Sequence, residues 1–124
     1  MVARKIKLTK NIYNDLVEIE NYKCFKYILS EYSQYLTIVL FYNDKFCNNY
    51  ELLKNLQKVR LDNNNNNLIF LKVDVLDNAE IISELDVTTC PIIYFYKNSE
   101  KKSSIYATYD NIIELINEKI NKYL

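Results

Sequence analysis

Cys47 is the residue of this chain best placed to do chemistry. It follows an apolar run, Ile38-Val39-Leu40-Phe41-Tyr42, which breaks at Asn43-Asp44. After it come Leu52, Leu53, Leu56 and Val59, spaced as one face of a helix. The stretch reads as buried strand, short loop, cysteine, helix. A cysteine there meets N–H groups that have no partner within the helix and the positive end of the dipole. Both favour the thiolate, which is the nucleophilic form. That field contributes about 0.3–1 kcal/mol at an exposed site, less than the ~1.36 kcal/mol of one pKa unit. Strong activation would therefore need further donors: Lys45, or the N–H groups of Asn48 and Asn49. The same pattern also fits an inert cysteine buried at a helix start.

The rest of the composition removes other chemistries. The 124 residues include no histidine and no glycine. The commonest general base and a major metal ligand are missing, and no glycine-rich phosphate loop can form. Cys24, Cys47 and Cys90 are too far apart in sequence for zinc-ligand spacing, and an odd count argues against a disulfide scaffold. No metal and no cofactor is expected. Formal net charge is zero, so no global field draws the chain to nucleic acid or membrane. No stretch approaches the roughly 18 apolar residues of a membrane span. The basic start, with Arg4, Lys5, Lys7 and Lys10, lacks the apolar core of a secretory signal. A reducing, cytoplasmic setting is the expectation. The bias towards Asn, Lys, Ile and Tyr points to an AT-rich genome.

The elements that must position Cys47 follow from periodicity. Residues 1–14 read as a basic N-terminal extension and residues 15–124 as one domain, with 49% hydrophobic and 26% charged residues in the whole chain. Leu16 to Glu20 alternates as a first strand. Asn21 is placed to cap a helix whose stripe is Phe25, Ile28, Leu29 and Tyr32, with Cys24 at its border. Thr37–Tyr42 does not alternate, which predicts a strand covered on both faces. The helix after Cys47 should end near Arg60, and the Asn63–Asn67 run should be a solvated loop. Leu68–Val75 is a second central strand. A short helix follows from Asp77 or Asn78, with Ala79, Ile82 and Leu85 inward. Cys90 and the only proline, Pro91, precede the strand Ile92–Tyr96. Lys97-Asn98-Ser99-Glu100 is turn chemistry, and Ser103–Thr108 reads as its hairpin partner. Asn111 and Glu114 suit a capping box on a last helix with Ile112, Ile113, Ile116 and Ile120 inward. With no glycine, turns that need positive φ must use Asn, Asp or Ser. The order βα, βα, βα, ββα predicts an α/β fold: a central mixed sheet flanked by helices on both faces.

That order, with a cysteine at the second strand–helix junction and a proline opening the fourth strand, resembles the thioredoxin family. Phe70 to Asn98, FLKVDVLDNAEIISELDVTTCPIIYFYKN, carries most of the likeness. Ile19 to Leu29 and, in altered form, Phe41 to Leu56 carry the rest. The resemblance implies a thioredoxin fold over about Leu16 to Leu124. It makes Cys47 the nucleophile in thiol–disulfide exchange, and Phe46 replaces the tryptophan before it. Pro91 matches the family's cis-proline. It further implies that Phe46, Tyr50, Thr89, Cys90 and Pro91 form the surface receiving an extended protein or peptide client.

The departures are as informative. The family's Cys-Gly-Pro-Cys is Cys47-Asn48-Asn49-Tyr50 here, so Tyr50 stands where the resolving cysteine would be. The mixed disulfide would then wait for another thiol, such as glutathione. Phe41 stands at the family's buried acid, with Asp44 the nearby substitute in sequence, and a late glycine falls near Ala107 or Thr108. Cys90, implied to face Cys47, reads either as an unorthodox resolver or as a small residue in a tight corner. Two functions follow: monothiol exchange in cell redox homeostasis, or a redox-inactive adaptor built on the same fold. A monothiol glutaredoxin with an iron–sulfur cluster is disfavoured by the lack of glycine.

Overall fold

A computed structural model of the chain describes residues 16–43, 45, 50–63, 67–107 and 110–124. The elements are β1 (Leu16–Glu18), α1 (Tyr22–Glu31), β2 (Leu36–Tyr42), α2 (Tyr50–Asp62), β3 (Leu68–Asp74), α3 (Ala79–Leu85), β4 (Ile92–Lys97), β5 (Glu100–Tyr106) and α4 (Ile112–Tyr123). The five strands form one sheet in the order β1-β3-β2-β4-β5. β1 and β2 run parallel to β3, whereas β4 is antiparallel to both β2 and β5. The expected mixed sheet is the observed one.

The two faces carry separate cores. Even-numbered residues of β2 and β3, Leu36, Ile38, Leu40, Leu68 and Phe70, pack with Leu52, Leu56 and Val59 of α2 and Ile112, Ile116 and Ile120 of α4. Odd-numbered residues, Val39, Phe41, Ile69, Leu71 and Val73, pack with Phe25 and Ile28 of α1 and Ile81 of α3. Every residue of β2 is buried, as its unbroken apolar run predicts.

Local chemistry sets the element ends. The side-chain oxygen of Asn21 accepts from Cys24 N–H at 2.7 Å and starts α1. Among the described residues, positive φ occurs at Asp86, Asn98 and Ser99, all drawn from the types expected to stand in for glycine. Asn98 and Ser99, with φ of 57° and 64°, make the two-residue turn of the β4–β5 hairpin. The hairpin tip is held to α1 and the turn after it: Asn98 N–H donates to Ser33 O at 2.8 Å, and the Ser99 hydroxyl to Leu29 O at 2.9 Å.

Three local expectations are corrected. In α3 Ile82 and Leu85 pack partly buried against the core as expected, but the fully buried residue is Ile81, and Ala79 is exposed. The short helix begins at Ala79 itself, and the larger apolar side chain takes the inward face. Asn111 sits at the N-cap of α4 but makes no side-chain cap bond, so the capping box does not form. β5 begins at Glu100 rather than Ser103, because the two-residue turn puts Glu100 directly opposite Lys97.

Candidate functional site

The candidate site lies at the end of the sheet where the neighbouring strands β2 and β4 respectively end and begin. The last ladder pair between these strands is Phe41 with Ile92. One residue beyond it, Tyr42 completes β2 and Pro91 precedes β4. The Cys90–Pro91 peptide is cis. Cys90 and Pro91 are half-buried, and Thr89 is exposed. The carbonyl of Pro91 accepts from Ala107 N–H at 3.1 Å, so the end of β5 is tied to the proline. Ala107 is itself buried.

β2 leaves this end of the sheet through a side-chain turn. Asn43 Oδ1 accepts from Lys45 N–H at 2.9 Å, a bend of the kind Asn makes without glycine. α2 then opens at Tyr50, with Glu51 in its first turn. Of the residues singled out from sequence, Cys47, Phe46, Asp44, Asn48, Asn49 and Thr108, the extension 1–14 and residues 64–66 of the Asn run lie outside the described residues, as does the side chain of Tyr50. Thr89, Cys90 and Pro91 lead directly into β4, beside the end of β2. Phe41, at the place of the family's buried acid, is fully buried, and its ring meets Tyr94 edge-on at 4.9 Å. That position therefore holds packing and no proton acceptor.

Cys24 belongs elsewhere. It is half-buried on α1, beside the core of the opposite face. Burial, and secondarily the charge of Glu20, push its thiol above the ordinary cysteine value. It is the less reactive kind of cysteine.

A second feature was not read from the sequence. Glu18, Tyr42 and Asp74, the last residues of β1, β2 and β3, line a cleft of about 350 Å³ with Ile19, Glu20, Asp77 and Asn78. The Tyr42 hydroxyl donates to Glu18 at 2.9 Å, and Lys72 Nζ stands 3.7 Å from the same carboxylate. The available signal was positional: each of these three strands ends in a polar side chain, and ligands of α/β sheets gather at carboxyl ends of strands.

The protein-family model for thioredoxin matches residues 16–118, almost the whole described chain. This chain belongs to the thioredoxin family. A thioredoxin from Ictalurus punctatus is 49% identical over 35 residues, a match that spans 28% of this chain and 33% of that protein. Among solved structures, thioredoxin from Fasciola hepatica overlays with a TM-score of 0.76 at 18% identity, covering 88% of this chain and all of that one (100%). Thioredoxin from Malassezia sympodialis gives 0.75 at 18% identity, covering 89% and 91%. At such identities the overlays speak for the thioredoxin fold alone.

Proposed function

We propose that this thioredoxin-family protein carries out thiol–disulfide exchange with Cys47 as its single nucleophile. The observation that carries the reading is the placement of Pro91 immediately before β4, at the end of the β2–β4 ladder where β2 stops and the sequence continues to Cys47. Just before Pro91, the backbone of the exposed Thr89 and the half-buried Cys90 would face an extended protein or peptide segment.

In the first step the Cys47 thiolate attacks a client disulfide. A mixed disulfide forms, and the other client sulfur leaves as a thiolate that takes a proton from water. With Tyr50 in the resolving position, a second thiol must act. A glutathione thiolate attacking the Cys47 sulfur frees the reduced client. A second glutathione then restores Cys47 and departs as glutathione disulfide. Cys90 is the internal alternative: its attack would free the client and leave a Cys47–Cys90 bridge for external thiols to reduce. That bridge requires Cα atoms about 4.4–6.8 Å apart. Phe46 and Tyr50 complete the client surface, residues 1–14 are an extension outside the domain, and the setting is a reducing, cytoplasmic one.

The second reading is a redox-inactive adaptor gripping its partner through the same surface. The buried Phe41, with no carboxylate to assist proton transfer, favours it over fast turnover. Glutathione-coupled reduction of insulin separates the two. The exchange reading expects turnover that a Cys47→Ser variant reduces to background, and a Cys47 thiol that alkylates well below pH 8. Equal rates in parent and variant overturn it. A pull-down that ignores Cys47→Ser but falls with a bulky substitution at Cys90 supports the adaptor.

A further inference from the structure

We draw no further inference here: the strongest candidate, the outer edge of β5, where the register turns the main chain of Ser104 away from β4 and no further strand follows among the described residues, carries none because nothing in the structure shows what covers it.

Discussion

Ala107 N–H donates to the carbonyl of Pro91 at 3.1 Å, fastening the end of β5 to the proline that opens β4. This bond lies one residue past the ladder pair Ile92–Tyr106 and ties the chain after β5 to the start of β4. Replacing Ala107 by proline removes the donor and leaves a carbonyl unsatisfied, at a cost of about 1–3 kcal/mol. Urea denaturation should show a lower midpoint with an unchanged slope, and the Pro91 region should lose hydrogen-exchange protection first. A change below about 0.5 kcal/mol would mean that the bond does not hold this junction.

Tyr50 opens α2, three residues beyond Cys47. Tyr50→Cys restores two cysteines with two residues between them. Insulin reduction driven by dithiothreitol should rise by about tenfold or more, because the mixed disulfide can then be resolved from within. A second substitution, Cys47→Ser, should abolish the gain. If Tyr50→Cys leaves the rate unchanged, the internal resolving step is not what limits this protein.

Cys24 should lag in alkylation. Burial and Glu20 both hold its thiol above the ordinary value, so near neutral pH it stays protonated. Mass spectrometry after timed iodoacetamide treatment at pH 7 should place modification at Cys24 last among the three cysteines. Glu20→Gln should shorten that lag without removing it, since burial is the larger cause. Cys24 reacting first would contradict the assignment.

Tyr96 predicts alkaline unfolding. It is 5% exposed, its ring meets Phe25 edge-on at 5.6 Å, and burial raises its phenol far above the ordinary tyrosine value. The folded state keeps this proton when the unfolded chain has lost it. The stability contributed by the neutral phenol is therefore whole below about pH 10 and declines as pH rises from there towards the folded pKa. Tyr94 shifts the same way, through burial and the nearby charge of Asp86. Thermal melts at increasing pH should show the loss setting in near pH 10. Tyr96→Phe should make that loss shallower while leaving the melt at pH 7 nearly unchanged. Parallel curves for parent and variant would show that Tyr96 does not titrate with unfolding.

Much of this molecule was legible because its signals are local. The unbroken apolar run of β2 implied cover on both faces, and all seven residues of the strand are buried. Asn21 was read as a cap from its side chain alone, and it caps α1. The absence of glycine required Asn, Asp or Ser at positive φ, and Asn98, Ser99 and Asp86 supply it. Misreadings came where distant partners decide. Ile81 outcompeted Ala79 for the inward face of α3 because the sheet offers that face a large apolar partner surface. Asn111 and Glu114 had the spacing of a capping box, but spacing does not orient a side chain.

By itself the sequence determined the order of elements, the two-sided burial of the central strands, and the presence of Cys47 without a second cysteine near it. These follow from side-chain type and period, which each segment carries wherever it is placed. Only the tertiary structure decided that Pro91 stands beside the end of β2 and is tied to Ala107, and that Glu18, Tyr42, Asp74 and Asn78 wall a single cleft. Those residues come from three strands and the residue just before α3, and pairing β1 and β2 on either side of β3 is what makes the strand ends neighbours.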